Sequence, residues 1–150
     1  MTAAAVSALG PHDVDEVVPL FCAYLAFYDV PRDRGEAREY LRERLVAGES
    51  LVLLGRTASG VAAGFAQVYF GFSSLSLGRV WTLNDLYVDE AARGTGLGRL
   101  LVREVCCRAE AAGAVSVRLE TAGDNHAAQA LYAAEGFAIE RGFVHLSRRA

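Results

Sequence analysis

Residues 83–101 restrict the fold more than any other stretch. The strand-like run Leu83-Asn84-Asp85-Leu86-Tyr87-Val88 leads, within a few residues, into Arg93-Gly94-Thr95-Gly96-Leu97-Gly98. Leu97, Leu100, Leu101, Val105 and Ala109 then recur at helical spacing. The chain must therefore pass from a strand into a helix through a glycine turn. Unpaired N–H groups at a helix N-terminus point outward, and the helix dipole favours an anion there. Glycines let a phosphate come close to the backbone, and Arg93 adds a positive charge. Two nucleotide-binding patterns fail on spacing. From Gly94, the G-x-G-x-x-G fingerprint requires glycine where the chain has Arg99, and G-x-x-x-x-G-K-[ST] does not occur. A plain glycine-rich turn is the simpler alternative.

The remaining elements follow from period and punctuation. Residues 2–9 read as a short strand ended by Pro11. Asp13 and Glu16 have capping spacing, and Val14, Val17, Val18, Phe21, Leu25 and Tyr28 follow on one helical face. Pro19 requires a kink or a later start. Asp33 and Glu36 repeat the capping spacing before Ala37, Tyr40, Leu41 and Leu45, and Gly48 stops that helix. Residues 50–56 predict a buried strand, 57–60 a hairpin turn, and 61–72 a longer strand weakened by Gly64. A Ser/Gly loop is expected over 71–78 and a strand over 80–88. After the glycine helix, which Gly113 ends, come a strand over 115–120 and a helix over 125–135 stopped by Gly136. One or two last strands are expected over 137–146. The order, β-α-α-β-β-β-α-β-α-β-β, describes one mixed α/β (α+β) domain over residues 1–150.

Composition narrows the function classes. Hydrophobic residues make up 53% of the 150, enough for a substantial core. No apolar run approaches the ~20 residues that span a bilayer. Residues 1–9 lack the basic residues of a secretory signal, so a cytoplasmic, non-membrane protein is expected. The net charge of −3 and the absence of a basic stripe argue against nucleic acid. Cys22, Cys106 and Cys107 match neither a zinc site nor a redox pair, so no metal is expected and the thiols read as small core residues.

The pattern R-x-x-G-x-G, set between a strand and an amphipathic helix, resembles the acetyl-CoA signature of the GNAT superfamily. Asn125, Leu131, Tyr132, Gly136 and Phe137 reproduce that family's N…LY…GF pattern. Asn125 and Tyr132 are seven residues apart, about 20° from the same helical face. The resemblance implies a central mixed, mostly antiparallel sheet flanked by about four helices, with acetyl-CoA as acyl donor. It implies that the turn from Arg93 through Gly94, Thr95, Gly96, Leu97, Gly98 and Arg99 holds the CoA pyrophosphate. It implies that Leu86, Tyr87 and Val88 pair their backbone with the pantetheine arm, and that Asn125 contacts the cofactor. Tyr132 is then the proton donor to the leaving thiolate; a phenol, with a pKa near ~10, carries its proton at neutral pH. Its alternative is a core tyrosine packed on Phe137, and that of Asn125 is a helix N-cap.

The amine side is less determined. An attacking amine must lose a proton. In polyamine-acetylating relatives a glutamate commonly precedes the aspartate; here that position is Asn84, which is not a base. Asp85, directly or through water, and then Glu120 are the candidate bases, with a structural role open for both. The run Tyr24-Leu25-Ala26-Phe27-Tyr28-Asp29 resembles the first helix of the yeast histone and polyamine acetyltransferase subgroup, which implies that Tyr28 and Asp29 border the acceptor pocket. The expected acceptor is a small-molecule amine or a protein lysine or N-terminal amine, and the resemblance implies a homodimer. Two rivals stand beside the enzyme: a non-catalytic acyl-CoA-binding or regulatory domain on this fold, favoured by Asn84, and an interaction module in which the glycines only turn the chain.

Overall fold

Two central strands have apolar side chains on both faces, so layers must cover both sides of their sheet. The computed structural model, which describes residues 3–150, bears this out. Strand β1 (Ala5–Ala8) is followed by a 3-10 turn (Pro11–Glu16), α1 (Val18–Phe27) and α2 (Arg34–Val46). The strands β2 (Ser50–Arg56), β3 (Ala62–Ser73) and β4 (Gly78–Val88) follow. A second 3-10 turn (Glu90–Ala92) leads to α3 (Leu97–Ala111), β5 (Ser116–Arg118) and α4 (His126–Ala134). The sheet runs β1-β2-β3-β4-β5 and is antiparallel except where β4 meets β5. This is the expected mixed, mostly antiparallel sheet with four helices. No described helix is long and apolar enough to cross a membrane.

Alternation along β3 assigns the two faces. Phe65 points to the α1 side, where its ring meets Phe21 edge-on at 6.0 Å between centroids. Gly64 points to the α3 side, next to Leu97 and Leu101. The core on the α1 side joins Val14, Val17, Val18, Phe21, Ala37, Leu41, Val52, Leu54 and Phe65. Helix α3 buries Leu97, Leu101, Val102, Val105 and Ala109.

Local signals set the boundaries. Pro19 moves the start of α1 to Val18. Asp13 caps the preceding 3-10 turn by accepting from the Gly10 N–H at 3.0 Å, so Glu16 is not its partner but pairs with Arg56. The Asp33 carboxylate accepts from the Gly35 and Glu36 N–H groups and starts α2.

Several expectations are corrected. Thr2 lies outside the described residues. β3 runs through Ser73 and β4 starts at Gly78, so the turn between them is shorter than expected. Leu100 is exposed and Val102 takes its place in the core, while Leu97, Leu101, Val105 and Ala109 are buried as expected. Cys107 is exposed and Cys106 and Cys22 are half-buried, so none is a full core residue. The expected strands over 137–146 are absent. A strand needs a partner for its N–H and C=O groups, and none pairs with this segment among the described residues. Gly142, at φ 97°, interrupts the extended run, and Ile139, Phe143, Val144 and Leu146 are exposed.

Internal contacts divide the chain into a unit ending at Glu120 and a unit Thr121–Ala150. The first holds the sheet and α1 to α3. The second holds α4, which buries no residue.

Candidate active site

Strand β4 loses one neighbour partway along. Its ladder with β5 covers only Val80, Trp81 and Thr82, opposite Ser116, Val117 and Arg118. Beyond Thr82 no described strand pairs with that edge of β4. Immediately afterwards the register with β3 slips: Val68 faces Leu83, Gln67 faces Asp85, and Asn84 is the extra residue. A bulge of this kind bends the strand and re-aims its side chains. Leu86, Tyr87 and Val88 follow on the unpaired edge, so the backbone expected to meet pantetheine is free of a strand partner there.

The turn after β4 is built from local bonds. Asp89 anchors its N–H to the Ala63 carbonyl at 2.7 Å and caps the 3-10 turn through the Glu90 N–H. Arg93 donates from Nε to the Val88 carbonyl at 3.0 Å, and its guanidinium lies 5.8 Å from the Tyr87 ring centre. Thr95 Oγ1 donates to the Ala92 carbonyl. Gly94 and Gly96 hold φ values of 78° and 87°, which a side chain would strain. Gly96 is the N-cap of α3, and no side chain caps that helix. Leu97 is buried under the sheet, while Arg99 is exposed. The first-turn N–H groups of α3 therefore have no side-chain acceptor from the cap, an arrangement suited to an anion.

Asp85 is 5% exposed. Its Oδ2 accepts from Gln67 Nε2 at 2.7 Å and its Oδ1 accepts from Asn84 Nδ2 at 2.9 Å. Gln67 is fully buried, and its Oε1 has no hydrogen-bond partner among the described residues. Asn84 itself is exposed. Further along the same face of β3, the Tyr69 hydroxyl meets the Tyr40 hydroxyl of α2 at 2.6 Å. Burial, the Tyr40 hydroxyl and the Asp85 charge hold the Tyr69 phenol well above the usual phenol range.

Aromatic contacts connect this strand to the end of α1. Tyr24 meets Tyr87 at 6.4 Å and Tyr28 at 5.0 Å between ring centres, and Tyr28 meets Phe27 at 5.2 Å. Phe27 and Tyr28 are largely exposed. Asp29 follows in the left-handed region, at φ 57°. Arg93, Tyr87, Tyr24 and Tyr28 thus form one chain of contacts from the glycine turn to α1. Glu120 is exposed, two residues beyond the end of β5.

In the C-terminal unit, Asn125 is the N-cap of α4, with Oδ1 accepting from the Ala128 N–H at 3.1 Å. Tyr132 is half-buried, and its ring meets Phe137 edge-on at 5.8 Å. The N-cap and Phe137-packing alternatives weighed for these residues both describe what they do within this unit.

Sequence reasoning did not single out Gln67, Tyr69 or Tyr24 for a role. Gln67 left a signal, a lone amide in an otherwise apolar strand. Tyr69 left none, because tyrosine is an ordinary strand residue.

The comparisons with known proteins agree with this geometry. The family model described as "Acetyltransferase (GNAT) family" matches residues 17–137. The uncharacterized N-acetyltransferase YhfO of Bacillus subtilis (strain 168) is 37% identical over 133 residues, covering 89% of each protein. The D-amino-acid N-acetyltransferase HPA3 of Saccharomyces cerevisiae is 42% identical over 76 residues, which is 51% of this chain and 47% of that protein. The crystal structure of a probable acetyltransferase superimposes with a TM-score of 0.90 at 33% identity, covering 97% of both chains. A strand freed of its neighbour, bulged and run into an uncapped glycine turn is the sequence signature given three-dimensional form: the chain belongs to the GNAT family of acetyltransferases.

Proposed function

We propose that the chain transfers the acetyl group of acetyl-CoA to a primary amine by direct attack in a ternary complex. One observation carries the reading: β4 leaves β5 at Thr82, bulges at Asn84, and delivers its unpaired edge to the uncapped start of α3. The edge at Leu86, Tyr87 and Val88 offers peptide-like pairing to pantetheine. The amides from Gly94 to Arg99, with Arg93 behind them, receive the pyrophosphate.

The amine nitrogen bonds to the thioester carbonyl carbon while backbone N–H groups near Leu86 stabilise the oxyanion. Collapse breaks the C–S bond. Tyr132 gives its phenolic proton to the departing sulfur, which leaves as the free thiol; the proton lost by the amine nitrogen returns through water to the phenolate, and Asn125 contacts the cofactor. Asp85, buried, serves by holding Gln67 and Asn84 through its two oxygens. Tyr28 and Asp29 face the incoming amine, and Glu120 lies on the acceptor side. The acceptor is a small-molecule amine or a protein lysine or N-terminal amine, and the protein acts as a cytoplasmic homodimer of one-domain chains.

The buried Asp85 and the neutral Asn84 favour a second reading, a domain that binds acyl-CoA without turning it over. Thiol release across an amine panel separates the two. Transfer predicts steady release, and Tyr132→Phe lowers it at least about 100-fold, the lower range for lost general acid catalysis. Acetyl-CoA affinity measured by calorimetry stays within a few-fold in that variant, whereas Gly96→Glu abolishes binding. Normal binding with no release from any amine sinks the transfer reading, and undiminished release by Tyr132→Phe removes that residue from it.

A further inference from the structure

The Asn84 amide has a fixed orientation. A carboxylate only accepts hydrogen bonds, so both amides that touch Asp85 must turn their NH2 groups toward it. Asn84 Oδ1 is therefore turned away from Asp85, on an exposed residue at the crest of the bulge. From this we infer that Asn84, clamped by Asp85, presents a carbonyl acceptor in place of a base, so that the enzyme selects amines that are already neutral near pH 7. Those are α-amino groups rather than alkyl or lysine-type amines. The inference rests on the transfer reading proposed above and specifies its acceptor.

The described groups around this face are held by one another, and the two carboxylates proposed for the acceptor side, Asp29 and Glu120, lie outside the bulged strand. Asp85 is buried, with an amide on each oxygen. On β3, the Tyr69 phenol is held protonated far above neutrality. Tyr40 on α2 bonds to Tyr69, and the Arg44 guanidinium covers the Tyr40 ring while pairing with Glu49 and Glu43. Tyr24 on α1 and Tyr87 on β4 present aromatic rings to each other rather than a carboxylate or an imidazole. On β5, Arg118 is exposed opposite Thr82, and Glu120 lies past the strand end. At the end of α1, Asp29 is exposed.

The chemistry then decides between amines. Without a base, the acceptor gives up its ammonium proton to water before it binds. Near pH 7 about a tenth of an α-amino group is neutral, against roughly four in ten thousand for a lysine-type amine. The stronger nucleophilicity of the alkylamine recovers only part of that difference. The neutral amine donates one N–H to Asn84 Oδ1, which orients its lone pair without removing a proton.

The test uses alaninamide and Nα-acetyl-lysinamide as acceptors at fixed acetyl-CoA. Expected is a kcat/KM that rises with unit slope and levels at each amine's own pKa, near ~8 for the first and still climbing at pH 9 for the second. Asn84→Glu, at an exposed position, raises the lysinamide-to-alaninamide ratio at pH 7 at least about tenfold, the low end for general base catalysis. A break at one shared pH for both amines overturns the inference while leaving acetyl transfer intact, and loss of that break in Glu120→Gln would name the base. An unchanged ratio in Asn84→Glu also overturns it. Acetyl-CoA binding without turnover of either probe or of the wider amine panel overturns the transfer reading and this inference with it.

A second readout is independent of activity. In 15N spectra, a side-chain NH2 proton of Asn84 exchanges more slowly than those of Asn125, which accepts from the Ala128 N–H through Oδ1. Equal exchange overturns the clamp.

Discussion

Asp29 holds a backbone conformation that the other helix ends give to glycine. All four helices close alike. The residue two past the last helical one bonds back to a carbonyl three residues earlier, and the next residue bonds five residues back. In α2, α3 and α4 the first of these residues is Gly48, Gly113 or Gly136, at φ values of 67°, 78° and 91°. In α1 it is Asp29, at 57°, with its N–H on Ala26 and the Val30 N–H on Leu25. A side chain there costs about 1–2 kcal/mol relative to glycine, somewhat less for Asp. Keeping a carboxylate at that cost is intelligible if it serves the acceptor pocket. Asp29→Gly is expected to raise stability by about 1 kcal/mol, part of the relief being offset by glycine's greater unfolded entropy, and to raise the KM for amine. A urea midpoint that does not increase would remove the strain argument. The carboxylate was legible in the sequence, but its φ was not, because no pattern distinguishes an aspartate that ends a helix by a left-handed residue from one in an ordinary turn. The Asn84 bulge was hidden for a related reason: it is set by register against Gln67 and Val68, which adjacent residues alone do not reveal.

At the scale of elements, the sheet and α3 are held together by the absence of side chains. A Cβ at Gly64 would lie 3.0 Å from the Tyr87 carbonyl, 3.2 Å from Leu101 Cδ1 and 3.4 Å from Leu97 Cδ2. At Gly55 it would lie 2.9 Å from Leu97 Cδ1. Both glycines let the first turns of α3 approach the sheet, and so set where the glycine turn sits relative to the end of β4. In the sequence Gly64 read only as a weak point in a strand, because close approach is a property of two elements and one element's pattern is silent about it. The helices and central strands were readable, since each carries its own period and its own caps. Gly64→Val is expected to cost about 1–3 kcal/mol through overpacking and to weaken acetyl-CoA binding, because the Tyr87 carbonyl is backbone of the cofactor strand. Gly71→Ala serves as a control: its nearest neighbour would be 3.6 Å away, an ordinary contact. Urea titration with paired binding isotherms checks both; a Gly64→Val protein as stable and as tight-binding as the parent would mean that α3 has room to move.

The whole molecule raises the question of how its C-terminal part is maintained. The unit Thr121–Ala150 contains one nine-residue helix and buries none of that helix's residues. Isolated helices shorter than ~12 residues are marginal in water, and units below ~40 residues rarely fold alone without a disulfide or metal. Its cysteine content is zero, since the three cysteines lie at positions 22, 106 and 107. The expected strands over 137–146 were the least legible part of the sequence, because pairing is settled by what lies alongside, and an apolar segment does not name its partner. The family match nevertheless runs from residue 17 to residue 137, across the division at Glu120. Tyr132, proposed as the proton donor, belongs to the second unit. If the two act as one domain, heating should give a single calorimetric transition whose calorimetric and van't Hoff enthalpies agree. Acetyl-CoA at about 100 times its Kd then adds about 2.7 kcal/mol, which for a chain of this size moves the midpoint by roughly 5–10 °C. The whole transition should move together, and slowed amide exchange should reach α4 as well as β4 and α3. Two transitions of which only one responds, with α4 exchange untouched by ligand, would leave Tyr132 outside the liganded domain and end its part in the transfer.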